Sequence, residues 1–205
     1  YHTLAEANRI SISPIVPNRG LILDRNGTVL AQNYSAYTLE FVPSKLSNFE
    51  NTINELTTII PIKEIDRRRF KKLMEESNKF ESLPIRTRLS EEEVARFAAN
   101  SYRFPGVEIK ARLFRQYPKG KSSSHVIGYI CRINHKDLAG LEANKDLANY
   151  KGTNHIGKIG VEQSYEKELH GIAGFEKIET DSAGRKIRVL SRTPPVSGNN
   201  LTLTL

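Results

Sequence analysis

The stretch that decides the fold runs from Pro17 to Ala31 and reads Pro-Asn-Arg-Gly-Leu-Ile-Leu-Asp-Arg-Asn-Gly-Thr-Val-Leu-Ala. Asn26-Gly27 lies between two short apolar runs, residues 21–23 and 29–31. An Asn-Gly pair between two apolar runs favours a type I′ turn, because that turn needs positive φ at both central residues. The stretch therefore predicts a β-hairpin over residues 20–32. Gly20 marks a point where the backbone turns or is closely approached.

Periodicity separates two kinds of segment in the rest of the chain. Residues 43–105 are highly charged and show mostly helical spacing, whereas residues 1–42 and 106–205 mostly show strand alternation. We expect an α+β fold in which a β-rich body, 1–42 and 106–205, carries an inserted, mostly helical head, 43–105. With 26% charged and 38% hydrophobic residues, the composition indicates an elongated or open shape.

The individual elements follow from apolar spacing and from turn residues. Two head helices are predicted at 47–60 and 63–79, and a third begins at the capping box of Ser90 and Glu93. Its inward residues are expected to be Val94, Phe97 and Ala98. Strands are predicted at 34–42, 83–88, 107–113, 175–181, 185–192 and from 201, a short helix at 135–143, and an extended connector at 1–16.

The net charge of +8 raises the question of nucleic-acid binding. The densest basic run, residues 67–72, is followed at once by Glu75 and Glu76, a pattern typical of a solvated helix face. Stacking aromatics are not interleaved with these cations. A basic but mixed surface is the favoured interpretation, and a nucleic-acid-binding or other interaction module stays open as the alternative.

Cysteine and histidine give little sign of redox or metal chemistry. Cys131 is the only cysteine, so no intramolecular disulfide can form, and its apolar neighbours predict a small buried side chain. The histidines form no His-x-x-x-His pair, so we expect neither a metal site nor a cofactor. We expect His125 to hydrogen-bond locally and His170 to help close a helix C-terminus.

Three motifs, in this order, resemble those of the non-catalytic N-terminal region of class B penicillin-binding proteins. The first is Arg-Gly-x-Ile-x-Asp-Arg-x-Gly-x-x-Leu-Ala from Arg19, the second Arg-x-Tyr-Pro-x-Gly from Arg115 with His-x-Ile-Gly-Tyr from His125, and the third Gly-x-x-Gly-x-Glu from Gly157 with Leu-x-Gly after it. The motif residues are Arg19, Gly20, Asp24, Arg25, Gly27, Arg115, Tyr117, Pro118, Gly120, His125, Gly128, Tyr129, Gly157, Gly160, Glu162, Leu169 and Gly171. Residues 88–97 and 104–108 look most like the elongation members of the family, the penicillin-binding protein 2 type.

The resemblance implies a role within a larger protein. That protein would be a peptidoglycan D,D-transpeptidase of cell elongation, held in the inner membrane by an anchor before Tyr1 and working in the periplasm. This chain would be its pedestal, or dimerisation domain, with the transpeptidase domain after residue 205. Implied partners are its own transpeptidase domain, a RodA-type glycosyltransferase near the membrane, an MreC-type scaffold protein at the head, and a second copy in a homodimer. Nucleic acid is not among them.

The head is expected to report partner binding. An exposed apolar edge would serve this purpose, and hinge motion is expected at loops 42–46 and 104–107. The edge residues are Phe49, Phe70, Met74 and Phe97, where the head's own core does not use them.

Ser164-x-x-Lys167 matches the nucleophile motif of penicillin-interacting enzymes, and Ser197-Gly198-Asn199 mimics the second element. No Lys-Thr-Gly or Lys-Ser-Gly follows, and the two matches are too close in sequence to hold the usual subdomain between them. We therefore expect no catalytic residues in this segment. An autonomous enzyme that uses Ser164 and Lys167 is the alternative, and a labelled penicillin separates the two.

The third motif predicts a helix with Val161, Tyr165 and Leu169 on one face and Gly171 as its C-cap. Glu162, which this motif includes, would need a partner if it is buried. We expect it to pair with an arginine such as Arg19 or Arg25, in a body where the three motifs meet.

Overall fold

The structure is a computed structural model that describes residues 9–43, 48–76, 82–120, 124–180 and 186–205. Contacts divide the chain into two compact units, residues 1–33 with 115–205 (unit 1) and residues 34–114 (unit 2). Strands β3 (Val29–Phe41) and β5 (Val107–Gln116) each contribute residues to both units. The mixed α+β character is confirmed. The predicted head and both predicted hinge loops fall inside the range of unit 2, and residues 44–47 lie outside the described residues.

The expected hairpin forms, with a different turn. Strand β2 (Ile22–Leu23) pairs antiparallel with β3, and a bulge separates the pairs Ile22–Ala31 and Leu23–Val29. Gly27 has a φ of 81°, but Asn26 does not have positive φ, so the predicted type I′ turn is wrong. The Asp24 carboxylate instead accepts the backbone N–H groups of Asn26 and Thr28, at 2.8 and 2.7 Å, and thereby fixes the loop. The strand predicted from residue 34 is a continuation of β3.

A three-stranded antiparallel sheet contains the start of the described chain. Its order is β1 (Arg9–Ile15), β8 (Gly174–Thr180) and β9 (Lys186–Thr193). The prediction of a connector over residues 1–16 is therefore wrong for residues 9–15, which form a strand. Pro14 is compatible with this strand because the strand lies at a sheet edge. The expected turn between β8 and β9, residues 181–185, lies outside the described residues. Near the C-terminus, β10 (Leu201–Thr202) pairs parallel with β2.

The remaining elements of unit 1 are short. They are α4 (Ser124–Ile127), β6 (Ile130–Arg132), α5 (His135–Ala143), β7 (His155–Gly157), α6 (Gly160–Ser164) and α7 (Glu166–His170). The single helix predicted over the third motif is broken at Tyr165, which has φ −112° and ψ 28°. Tyr165 is exposed as a result, contrary to prediction, whereas Leu169 is fully buried. Cys131 is also exposed, because β6 pairs only with β7 among the described strands.

Unit 2 places helices against a sheet. Strand β4 (Leu83–Leu89) and β5 both pair with β3, and the helices are α1 (Phe49–Thr57), α2 (Glu64–Glu76) and α3 (Glu91–Asn100). A 3₁₀ turn, Ser101–Arg103, follows α3. The capping box of Ser90 and Glu93 is confirmed. The core includes Phe41, whose ring centroid lies 5.3 Å from that of Phe70.

The expected apolar edge of the head is wrong, because this core uses it. Phe70 and Phe97 are buried, and Phe49 and Met74 pack against the same cluster. One further expectation also fails, because Ala98 is exposed on α3. The cluster includes Val107 and Ile109 but does not extend along β5 to Leu113, which is 51% exposed.

Candidate functional site: a buried arginine–glutamate junction

The three sequence motifs meet in unit 1. Ile22 from the first, Ile127 from the second and Leu169 from the third belong to one buried cluster. The Gly20 N–H donates to the Leu169 carbonyl at 2.8 Å. Residues that are far apart in sequence therefore share a small apolar core, beside which the charged motif residues lie.

Glu162 is the centre of the charged group, and its side chain is fully buried. Arg19 Nε donates to Glu162 Oε2 at 2.7 Å, which confirms the predicted partner. Arg115 Nε donates to Oε1 at 2.8 Å, and the Tyr117 hydroxyl lies 3.2 Å from the same oxygen. One carboxylate of the third motif thus joins an arginine of the first motif to an arginine and a tyrosine of the second.

A second carboxylate, Glu166, completes the group. Arg19 donates from Nη1 and Nη2 to its two oxygens, at 3.1 and 2.6 Å. The Tyr150 hydroxyl and the Gly157 N–H each donate to one of the same oxygens at 2.9 Å. Sequence reasoning did not predict that Glu166 shares Arg19 with Glu162, because it did not predict the break at Tyr165 between the two glutamates.

Arg115 reaches into the first motif as well. Its Nη1 donates to the Gly20 carbonyl at 2.7 Å and to Asn33 Oδ1 at 3.0 Å. Arg115 is a motif residue, but it was not predicted as a partner of Glu162. The prediction of Arg25 as an alternative partner of Glu162 is wrong. Its Nε donates to the Leu205 carbonyl at 3.1 Å, and its Nη2 donates to the Thr204 carbonyl.

Burial and neighbouring charges raise the pKa values of one arginine and two tyrosines at the junction. Burial by itself would lower the pKa of Arg19, but hydrogen bonds and charge from Glu166 and Glu162 raise it. Burial and the nearby Glu162 charge raise the pKa of Tyr117 to about 12, and burial and Glu166 also raise the pKa of Tyr150. Both tyrosines are therefore neutral donors at physiological pH. With two arginines and two glutamates in direct contact, every carboxylate oxygen has a donor and none is free to act as a base.

Two motif glycines allow the backbone to pack closely around the junction. A Cβ on Gly157 would lie 2.0 Å from the Glu162 carbonyl oxygen, and one on Gly20 would lie 1.9 Å from the Asn199 carbonyl oxygen. Real Cβ atoms do not approach backbone oxygens so closely. These positions require glycine for space, as the family motif implies.

The other motif residues lie outside the charged group. His125 and Tyr129 are exposed, as is Pro118, and Gly120 closes a turn by donating to the Tyr117 carbonyl at 3.0 Å. The local hydrogen bond expected for His125 stays a prediction. The Tyr117 hydroxyl has a second role, because it accepts the Ile130 N–H at 3.0 Å.

His170 ends α7, as predicted, and is buried. Its ring stacks on Tyr150 with centroids 4.0 Å apart, and its Nε2 lies 3.2 Å from Thr153 Oγ1. Burial lowers the pKa of His170, so the ring is neutral at physiological pH. Within the described ranges, no three His, Cys, Asp or Glu side chains are placed to hold a metal ion.

The two residues of the Ser-x-x-Lys match lie on different helices. Ser164 ends α6, and Lys167 lies on α7, beyond the break at Tyr165. Lys167 Nζ lies 3.9 Å from Asp146 Oδ2 and is 77% exposed. In the mimic of the second element, Ser197-Gly198-Asn199, Gly198 packs against the Leu169 carbonyl. The Asn199 N–H donates to the Glu168 carbonyl at 2.7 Å. This segment is therefore used in backbone packing.

Unit 2 contains another buried carboxylate, Glu40, in an ion pair that sequence reasoning missed. Arg112 donates from Nε and Nη2 to the two oxygens of Glu40, at 2.7 and 2.8 Å. Ser82 and Thr38 complete the shell, at 2.6 and 2.8 Å. Glu40 is 1% exposed. Alternation of polar and apolar residues predicts which side chains share a face of a strand. It does not predict whether other parts of the chain bury a polar side chain on the outer face.

The penicillin-binding protein dimerisation domain family matches residues 14–203, which include all three motifs. The chain belongs to this family. As a penicillin-binding protein dimerisation domain, it is similar over its whole length to the peptidoglycan D,D-transpeptidase MrdA of Escherichia coli K12, at 45% identity, and to that of Haemophilus influenzae, at 38%. It spans about a third of the length of these relatives, 32% in both cases.

More distant proteins share the domain. Stage V sporulation protein D of Bacillus subtilis is 29% identical over 94% of the chain, which covers 26% of that protein. Among solved structures, the complex between the penicillin-binding protein PBP2 and MreC from Helicobacter pylori matches 95% of this chain and 36% of the chain compared. The TM-score is 0.71 at 23% identity, so this match shows the shared fold. Among the described helices, none has the length and hydropathy of a membrane span.

Proposed function

We propose that this dimerisation domain is the non-catalytic pedestal of a peptidoglycan D,D-transpeptidase of cell elongation, on the periplasmic face of the inner membrane. Its role is to position the transpeptidase domain and to bind partner proteins. The family and the 45% identity to MrdA support the first part of this proposal. The observation that carries the rest is the buried junction. Its four charged groups bond to one another and to the backbone, so they hold structure together and leave no reactive group exposed.

A labelled penicillin tests the non-catalytic part. We expect no covalent adduct on this chain in intact-mass spectrometry, because Lys167 lies beside Asp146 and Ser164 is on another helix. A homologous full-length transpeptidase is the positive control. An adduct that disappears in Ser164→Ala would overturn the assignment and restore the autonomous-enzyme alternative.

The positioning role makes use of Arg25. This side chain bonds the carbonyls of Thr204 and Leu205, and the Arg25 N–H lies 3.4 Å from the Leu205 oxygen. It thereby sets the direction of the chain after β10. In a full-length protein, Arg25→Ala should lower transpeptidase activity while penicillin still acylates the catalytic serine. Unchanged transpeptidase activity in Arg25→Ala would mean that the direction of the chain after β10 does not affect the activity.

The proposed partners are an MreC-type scaffold protein and a RodA-type glycosyltransferase. Support for the first comes from the fold shared with a penicillin-binding protein that was solved in complex with MreC. Because Phe70 and Phe97 are in the core, a partner on unit 2 must use other residues, and Tyr102, 82% exposed, is the best candidate. Tyr102→Ala should weaken binding of an MreC-type periplasmic domain in a titration, whereas Glu75→Ala at an exposed position of α2 should not.

RodA-type binding is tested separately in the full-length protein. Co-purification of the RodA-type glycosyltransferase should depend on unit 1, which contains the residues that follow the expected anchor. Loss of co-purification on replacement of unit 2 alone would contradict this arrangement.

A further inference from the structure

The loop between β2 and β3 contains a chemically labile pair of residues. Asn26 and Gly27 are the only Asn-Gly pair in the sequence. Because glycine has no side chain, the main-chain nitrogen that follows such an asparagine can approach its carboxamide without steric hindrance. Both residues are exposed, and a Cβ on Gly27 would meet no atom within 4 Å. Solvent therefore reaches this pair, and close packing by the described residues does not protect it.

Hydrogen bonds to Asp24 restrain the nitrogen that would react. The Gly27 N–H donates to the Asp24 carbonyl at 3.1 Å, so its proton is held by another acceptor. The Asp24 carboxylate accepts the N–H groups of Asn26 and Thr28, at 2.8 and 2.7 Å. The Asp24 N–H in turn donates to the Thr28 carbonyl at 3.0 Å. Asp24 thus fixes the turn on both sides of the labile pair.

The charge of Asp24 strengthens this arrangement. The hydrogen bond from the Thr28 N–H lowers the pKa of Asp24, so the acceptor is a carboxylate at physiological pH. Hydrogen bonds to a charged acceptor are about twice as strong as those between neutral groups. Asp24 is a residue of the first motif that the junction around Glu162 does not use, and the turn gives this residue a role.

We propose that Asn26 is a site of spontaneous deamidation and that the Asp24 turn sets its rate. When the turn opens locally, the Gly27 nitrogen loses its proton to a solvent base and attacks Cγ of Asn26. The new N–Cγ bond closes a succinimide ring, the Cγ–Nδ2 bond breaks, and the amide nitrogen leaves as ammonia with a proton from water. Water then opens the ring at either carbonyl and gives aspartate or isoaspartate. Each ammonia released consumes a water molecule, and nothing is oxidised or reduced.

Isoaspartate at position 26 would change the surroundings of Arg25. The former Cγ then lies in the main chain, so the turn gains a carbon atom and a carboxylate. Arg25 bonds the carbonyls of Thr204 and Leu205, and the new carboxylate competes for the same guanidinium. In a full-length protein this would loosen the chain after β10, a consequence that rests on the proposed positioning role of Arg25. The deamidation itself does not rest on that role.

Peptide mapping of the whole chain after incubation in mildly alkaline buffer measures the rate. Water labelled with heavy oxygen marks the residues that hydrolyse during the incubation. Conversion at Asn26 should be roughly tenfold or more slower in the folded chain than in the chain unfolded in urea. Asp24→Ala removes the acceptor of two hydrogen bonds and should raise the rate in the folded chain about tenfold. Asp24→Asn keeps an oxygen acceptor at this place and should retain most of the protection.

Asn154, an exposed residue of unit 1 that precedes His155, is the internal control. Its rate should not respond to Asp24→Ala, because the variant keeps the fold. An equal rise at both asparagines would assign the protection to the fold as a whole and would overturn the proposal. Equal rates at Asn26 in the folded and unfolded chains, an unchanged rate in Asp24→Ala, or no conversion at Asn26 in the unfolded chain would overturn it too. None of these outcomes depends on the proposed pedestal function.

Discussion

Arg19 and Glu162 are 143 positions apart in the sequence, and their side chains bond at 2.7 Å. Arg115 Nε donates to the other oxygen of the same carboxylate at 2.8 Å. Glu162 thus joins an arginine of the first motif to an arginine of the second.

Removing this carboxylate should be costly. Glu162→Ala leaves Arg115, which is 2% exposed, without its charge partner, and we expect a loss of about 3–5 kcal/mol in the free energy of unfolding. Urea denaturation followed by circular dichroism measures it. Glu168→Ala, on the exposed side of α7, is the matched control and should change little. An unchanged midpoint in Glu162→Ala would mean that the pair contributes nothing net.

Replacement of a motif glycine by alanine should destabilise the chain, whereas the same replacement at a glycine with open space around it should not. Gly157→Ala places a methyl group 2.0 Å from the Glu162 carbonyl oxygen, and we expect a loss of about 1–3 kcal/mol through overpacking. Gly140→Ala, in the interior of α5 with no neighbour within 4 Å, should instead gain about 0.5–1 kcal/mol. Thermal unfolding of the two variants should therefore shift in opposite directions. A shift in the same direction would contradict the steric argument.

His170 should make unit 1 sensitive to mild acid. Burial lowers the pKa of His170 in the folded chain below the value of the unfolded chain, which is about 6.5. The unfolded state then binds more protons, so stability is fully present above that pH and decreases as the pH falls towards the folded pKa. Unfolding measured from about pH 7.5 to about 5.5 should lose stability. His170→Gln should flatten this slope, whereas His125→Gln, at an exposed position, should leave it unchanged.

Glu40 should govern the response of unit 2 to stronger acid. Burial by itself would raise the pKa of Glu40, but hydrogen bonds from Arg112 and Ser82 lower it. The stabilisation is therefore present above the unfolded carboxyl pKa, about 4.3, and is lost as the pH falls through the folded value. Glu40→Gln should destabilise the chain at neutral pH, and its difference from the parent should shrink below about pH 4. Glu75→Gln is the exposed control, and a constant difference across this range would be the contrary result.

Local signals in the sequence predicted much of the fold. The pairing of Ser90 with Glu93, the helix from His135 to Ala143 and the hairpin around Gly27 each depend on residues a few positions apart. The interactions that decide them are local, so the sequence pattern contains them. The type of the hairpin turn was predicted wrongly, because the Asp24 side chain supplies bonds that the Asn-Gly rule does not consider.

The site was predictable only as a set of residues. The motifs identified Arg19, Arg115 and Glu162, but geometry was needed to show that one carboxylate binds both arginines. The exposure of Cys131 and the burial of Glu40 were not predictable for the same reason. Whether a strand face is covered depends on elements far away in the sequence, and alternation does not reveal their position.

The division of the chain has a consequence for its synthesis. Unit 2 is one continuous segment, residues 34–114, whereas unit 1 is built from both ends of the chain. As the chain emerges from its N-terminal side, unit 2 can therefore acquire its whole core early, while β1 stays without β8 until residues 174–180 have emerged. Throughout that interval Ile10 and Ile12 are presented on an unpaired strand, a state that is prone to aggregation. Chaperone capture during synthesis should accordingly concentrate on β1, and it should end when β8 has emerged.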